Sequence, residues 1–485
     1  MNGQEEIRNV LRALSPSVAH RAAEKPSVAD IYSPPHHATA LDPNRALVVG
    51  GRGVGKSFWA SVLNDHDARA AASRAYPDLG LDKLDVALGF YEGAMGSSSV
   101  APSASTLKAA LKVAEDPASI WRSVILKALA PGDGPVGFND RVKWIEATPE
   151  AFEDALLKVD QRQAALGRTL LIVFDALDVL ATDWDSIRTL TAGLARLALE
   201  LSARKAIRIK MFMRRDQFED MRRKTFADFS KLRTAAVELT WDPEDLYGVL
   251  FTRIWRDPAA RPVLAALGAG WQLDITQPDL PDAVKVNASV QEALFATIAG
   301  EFMGANKKRG RTYTWMPKHL ADAHNETSLR SFLIALKEAA DRSSSGIATA
   351  IDHVGINAGV LKASDTRLEE LREDHPWVDD ALNALSGLTV PCAEGDVASL
   401  WRAAGTVELI LARTNDARPA APIQLDATDY TVPEQALLEA LIDLAVIERR
   451  SADIINVPDI FRVAARIKRR GGIAPPSERE VLAVA

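Results

Sequence analysis

RALVVGGRGVGKSFWASVL, residues 45–63, opens on an apolar run, turns through four glycines, and continues through a lysine and a serine into a second apolar run. The run ALVVG has the composition of a buried strand, and KSFWASVLND that of a helix. Between them, GGRGVGKS fits GxxxxGK[ST], with Gly50, Gly55, Lys56 and Ser57 at the defining positions. Glycines there let backbone N–H groups turn inward around an anion, and the start of the following helix adds positive potential. The lysine reaches terminal phosphate oxygens and the serine hydroxyl ligates Mg²⁺. The residues expected around bound ATP and Mg²⁺ are Gly50, Gly51, Arg52, Gly53, Val54, Gly55, Lys56, Ser57 and Phe58, with ADP as the product form. Arg52 and Val54 lie at the loop tip, where the motif assigns no role.

Working outward, strands and helices alternate. LDVALGFY (84–91), TLLIVFD (169–175), IRIKMFM (207–213) and AAVELTW (235–241) read as strands. Helices are expected near 104–114, 119–129, 149–164 and 185–202. Several of the strands are apolar throughout, which predicts an α/β fold with a parallel sheet covered by helices on both faces. The segment EGAMGSSSVAPSAS (92–105) is expected to be a mobile loop.

A phosphate loop of this kind is completed by an acid at the end of a neighbouring apolar strand, where it helps to hold Mg²⁺. LLIVFDALDVL places Asp175 there, so Ser57 and Asp175 are the expected metal ligands. Hydrolysis also needs a group that orients water. Ala176 follows Asp175 directly, and the nearest carboxylate beyond it is Asp178, either a substitute for that group or a helix cap. Arg214 and Arg215 follow the fourth strand; one of them faces the phosphates, or both are solvated or pair with Asp216 and Glu219. Residues 204–233 hold 11 basic and 4 acidic residues, a net of +7 that suits an acidic neighbour, nucleic acid or solvent. Further on, ETSLRSFLIALKEAAD reads as an amphipathic helix begun by Thr327 or Ser328. Its first turn carries Arg330, which either meets a terminal phosphate or pairs with Glu326 one turn back.

After Trp241 the alternation stops. The expected divisions are an N-terminal helix and arm (1–44), a phosphate-loop core (45–242), a helical lid (243–350), a helical connector and linker (351–424) and a terminal winged-helix-like unit (425–485). In the connector, SSSGIATAIDHVGINAG loosens the helical pattern. In the last unit a helix, a two-stranded wing and a closing helix are expected. Residues 448–470 carry 7 basic and 3 acidic residues, a net of +4 that suits either DNA phosphates or a packing module.

The whole chain of 485 residues is 47% hydrophobic and 25% charged, with a net charge of −7, which argues against a general nucleic-acid coat. Its one cysteine, Cys392, cannot form an internal disulfide, so a reducing cytoplasmic setting is expected. No metal-ligand cluster of Cys and His reads from the chain, and His36 and His37 are taken as surface or packing residues. The N-terminus lacks the apolar run of a signal peptide, and no window approaches about 18 uninterrupted apolar residues, so no membrane contact is expected.

With these residues in place, the chain resembles bacterial P-loop ATPases of the STAND and KAP type, within the wider AAA+-like (ASCE) group. GGRGVGKS, LLIVFDALD and FMRRDQFED are similar to the matching segments of those families. ETSLRSFLIALKEAA is similar to the arginine-bearing lid helix of origin-binding AAA+ ATPases. The resemblance spans about residues 45–345. It implies that Lys56, Ser57 and Asp175 bind Mg-ATP, that Arg214 is the sensor of the fourth strand, and that Arg330 is the lid arginine. It also implies a regulated switch in signalling, phage defence or DNA maintenance, with a separately encoded protein partner and an ATP-dependent homo-oligomer. Ala176, standing where many such ATPases have glutamate, suits a slow switch. The alternative is a DNA-binding loader, partition or transcription-regulating ATPase that uses its winged helix.

Overall fold

A computed structural model describes residues 3–15, 21–94, 100–223, 229–271, 273–344, 346–413, 421–426, 430–451 and 453–470. The expected mobile loop at 92–105 and linker at 414–424 lie partly outside the described residues. The chain forms two compact units, residues 19–239 and residues 1–18 together with 240–485.

In the unit of residues 19–239, apolar runs form the strands β1 (Leu47–Gly50), β2 (Leu84–Phe90), β3 (Thr169–Phe174), β4 (Ile207–Arg214) and β5 (Val237–Glu238). They make one parallel sheet in the order β2-β3-β4-β1-β5. Leu171, Ile172, Val173 and Phe174 of β3 are all fully buried. Since neighbours along a strand point to opposite faces, both faces of the sheet are covered, as the unbroken apolar run predicts. Each such side chain contributes about 1.5–3 kcal/mol by leaving water. Trp121, on the helix Pro117–Leu129, joins the layers: its ring meets Phe174 edge-on at 5.4 Å, and its Nε1 donates to Leu190 O at 2.7 Å on the helix Trp184–Leu201.

The fifth strand is shorter than the expected 235–241. The helix Phe229–Ala235 runs to its start, and an edge strand pairs on one side only, so the ladder covers Val237 and Glu238. Two helices, His66–Ala75 and Phe138–Ala147, lie where no element was expected. The first is begun by Asp65, whose side chain accepts from the Ala68 N–H at 2.9 Å. His37 is a packing residue, its Nδ1 accepting from Trp59 Nε1 at 3.2 Å.

The other unit is mostly helical. The N-terminal helix Gly3–Arg12 packs on the helices Ala260–Leu267 and Leu329–Arg342. Its buried Arg8 donates to Ala350 O at 2.6 Å and to Thr349 O at 3.2 Å. Where the pattern loosens near residue 353, the structure instead begins a 22-residue helix, His353–Asp374, capped by Asp352. Its glycines serve close packing: a Cβ on Gly355 would stand 2.4 Å from Ala339 O, and one on Gly359 2.1 Å from Ala335 O.

The terminal part is built from β6 (Thr389–Val390), β7 (Cys392–Ala393), β8 (Glu448–Ser451), β9 (Ile454–Asn456) and β10 (Lys468–Arg469). β7, β9 and β8 form a three-stranded antiparallel sheet, so a strand from the connector region joins the expected two-stranded wing. The expected closing helix is only Asp459–Arg462. Arg466 then takes a left-handed backbone (φ 58°), and the chain turns into β10, which pairs with β6. Arg462 is fully buried, with its Nε donating to Asp459 Oδ1 at 2.5 Å, and His319 of the helix Thr312–Leu320 also meets the Asp459 carboxylate.

Candidate functional site

The carboxyl ends of β1, β3 and β4 meet at the loop 50–57. Gly50 ends β1, and a Cβ there would stand 2.8 Å from Val54 Cγ2 and 3.0 Å from Leu239 O, so glycine is required by space. Gly53 and Gly55 take positive φ of 80° and 101°, a conformation that L side chains rarely adopt. The loop then enters the helix Lys56–Asn64. Lys56 folds back over the loop, its Nζ donating to Gly50 O at 2.9 Å and to Gly51 O at 2.7 Å. Val54 of the loop is buried, and Phe58 lies half-buried in the first turn of the helix.

Asp175 follows β3 and is almost fully buried, its backbone N–H donating to Phe90 O at 3.0 Å on β2. Its carboxylate faces the Ser57 hydroxyl and the Ala176 N–H. Burial pushes its pKa up to about 6, against the favourable influence of Ser57, the Ala176 N–H and the charge of Lys56. Burial also pushes the Lys56 ammonium down to about 8; the charge of Arg214 acts in the same direction, and Asp178, Asp175 and Asp216 oppose it. The lysine and the carboxylates thus form one electrostatic cluster. Ala176 has a left-handed backbone (φ 55°, ψ 42°), a conformation uncommon outside glycine, asparagine and aspartate.

Arg214 is paired with Gly50 in the β1–β4 register. Its Nε and NH2 donate to the two oxygens of Asp216 at 3.0 and 2.8 Å, and its NH1 to Asp178 Oδ2 at 3.3 Å. Arg215 pairs instead with Glu238, at 3.3 Å. The capping role considered for Asp178 falls to Asp183, which accepts from the Ser186 N–H at 2.8 Å at the start of the next helix.

Lys56, Ser57, Asp175, Asp178 and Arg214 therefore gather at one end of the sheet. Arg330 lies in the other compact unit. Ser328 caps its helix, accepting from the Ser331 N–H at 3.1 Å, while the Thr327 hydroxyl donates to Pro317 O at 2.9 Å. Arg330 bonds Glu370, forty residues on in the helix His353–Asp374, and not Glu326 as the one-turn spacing suggested. The sequence points to Asp216 only as a neutralising neighbour of the two arginines and to Glu370 not at all. The available signal for Asp216 was an acid in the first turn of a helix that follows two arginines.

No family model matches the chain, and no curated protein matches it in sequence. Solved structures similar to it include the ORC2 protein of Aeropyrum pernix in its ADPNP–ADP complexes, with TM-score 0.37 and 14% identity over 90% of this chain and 94% of that one. The ADP form of the same protein matches with TM-score 0.30 and 14% identity, over 90% and 93%. CDC6P from Pyrobaculum aerophilum matches with TM-score 0.29 and 12% identity, over 89% and 93%. These likenesses are distant, and the functional reading rests on the residues of the loop.

Proposed function

We propose that this chain binds Mg-ATP at the loop 50–57 and hydrolyses it slowly, using the nucleotide as a conformational switch. The observation that carries this reading is the joining of two parts: a glycine loop with the Lys56 ammonium drawn into it, and a buried Asp175 that faces Ser57. Lys56 can exchange the carbonyls of Gly50 and Gly51 for phosphate oxygens. Ser57 Oγ and the Asp175 carboxylate are the hard oxygen donors that suit Mg²⁺, and they already lie together. The bound metal neutralises charge on the phosphates. Inward N–H groups at the helix start complete the anion site.

Slow turnover follows from two features. Ala176 offers no carboxylate beside Asp175, and Asp178, the next one available, is engaged by Arg214. By the resemblance of the motifs Arg330 is the lid arginine, and within its own unit it is held by Glu370. A role in bacterial signalling or phage defence, through a separate protein partner and an ATP-dependent homo-oligomer, rests on the resemblance of the motifs to STAND and KAP ATPases. Titration with a fluorescent ATP analogue tests the core of the reading. Lys56→Ala should weaken binding by at least about tenfold, the scale of a lost charge-assisted contact. Unchanged affinity and unchanged phosphate release in that variant would sink the assignment.

A second reading, a DNA-binding ATPase, is supported by the terminal part. There the helix Pro433–Asp443 precedes the β8–β9 hairpin, and β7 completes a small antiparallel sheet, an arrangement that suits a winged helix. It predicts duplex binding that weakens steeply as salt rises. A gel shift at low salt with no complex, with and without ATP, removes it.

A further inference from the structure

We infer that Asp216 is a positioning residue of this site: it holds one edge of Arg214 so that the other arm exchanges Asp178 for the terminal phosphate of a nucleoside triphosphate. The inference rests on the Mg-ATP reading above and adds to it how a triphosphate is told from a diphosphate.

The geometry is that of a clamp. Asp216 takes the Nε and NH2 of Arg214 through both of its oxygens, at 3.0 and 2.8 Å, a two-point pairing that fixes the plane of the guanidinium. The two side chains are only 11% and 12% exposed, so the pair is shielded from water. Asp216 lies in the first turn of the helix Arg215–Arg223, where a carboxylate is favoured by the helix dipole. The NH1 arm makes the longer contact, 3.3 Å to Asp178, whose side chain is 29% exposed. Of the two carboxylates on Arg214, Asp178 is therefore the weaker and more solvated partner, and the one that a competing anion displaces.

That arm is also in the right place. Arg214 stands opposite Gly50 in the sheet, beside the first residue of the loop. Its charge and that of Asp216 both act on the Lys56 ammonium. A terminal phosphate reached by Lys56 therefore lies within the field of Arg214. A triphosphate supplies the anion that takes the NH1 arm, and Asp178 is released. A diphosphate supplies none, and the Arg214–Asp178 pair stays closed. The released Asp178 carboxylate is then available to orient water, which couples the triphosphate to the group that its hydrolysis needs.

The test is nucleotide affinity of the full chain, measured by calorimetry with ADP and with a slowly hydrolysed ATP analogue, for wild type, Asp216→Asn, Asp178→Asn and Lys56→Ala. Asp216→Asn should weaken the analogue about tenfold and leave ADP within about twofold, as loss of one charge-assisted contact predicts. Asp178→Asn removes the competitor and should tighten the analogue several-fold relative to ADP. Because it does not disturb the clamp, it keeps the test open if Asp216→Asn folds poorly. A uniform loss for both nucleotides in Asp216→Asn, or an unchanged analogue-to-ADP ratio in both aspartate variants, overturns the inference. If that ratio is unchanged while Lys56→Ala loses both nucleotides, the clamp fails and the Mg-ATP reading stands. If Lys56→Ala binds both as wild type does, the reading itself fails and the clamp with it.

Discussion

Lys210 brings an ammonium into the middle of the sheet. It lies on β4, is fully buried, and its Nζ donates to Ala40 O at 2.8 Å and to Asp42 O and Arg45 O at 2.9 Å. Those three carbonyls belong to the segment that leads into β1, so the lysine ties the start of the phosphate-loop strand to its neighbour. Burial pushes its pKa down to about 7, with Asp42 opposing and Arg45 assisting. Above that value the native state holds fewer protons than the unfolded chain, so this group makes stability rise with pH until the unfolded lysine also titrates near 10.5. Lys210→Met should cost about 2 kcal/mol at pH 7 through the carbonyls left without a donor. The deficit should widen between pH 7 and 9 in urea unfolding. A deficit that narrows over that range would mean that the native site prefers the charged lysine. In the sequence this residue is one lysine in the run IRIKMFM, and nothing local points to carbonyls more than 160 residues away.

At the scale of elements, the phosphate-loop strand, loop and helix were legible because their determinants are local. An apolar run, glycines at fixed offsets and a lysine–serine pair specify them within about 20 residues. The start of the helix His353–Asp374 was not, because Gly355 and Gly359 fall where the helical pattern loosens. Their meaning comes from the helix Leu329–Arg342, whose carbonyls approach so closely that no Cβ fits. Gly359→Ala, which would favour an isolated helix, should here destabilise its unit by about 3 kcal/mol through overpacking, seen as a lower urea midpoint. Wild-type stability in that variant would show that the helices separate at no cost. The same pair of helices carries Arg330 and Glu370, so their packing decides which partner the arginine meets.

At the scale of the molecule, residues 1–18 belong with residues 240–485, and the phosphate-loop unit lies between them in the chain. Ile7 and Leu11 are fully buried, and Arg8 bonds the carbonyls of residues 349 and 350. Calorimetry should therefore resolve two transitions, one for each unit. Arg8→Ala should lower that of the unit containing residue 8 by several degrees, in keeping with about 2 kcal/mol lost from a buried charged donor. The ATP analogue with Mg²⁺ should raise the transition of residues 19–239 by mass action. If Arg8→Ala shifts the nucleotide-sensitive transition instead, residues 1–18 stabilise the other unit.

By itself the sequence determined the parallel α/β sheet, the loop at Gly50–Ser57 and the acid at Asp175, because each is written in a short window as hydrophobic period, backbone freedom or residue type. Tertiary structure alone decided that Asp178 meets Arg214, that Arg330 bonds Glu370, that Lys210 reaches the arm before β1, and that a connector strand completes the terminal sheet. Those are contacts between side chains and strands far apart in the chain, and their partners are chosen by which helix and strand ends the packing brings together.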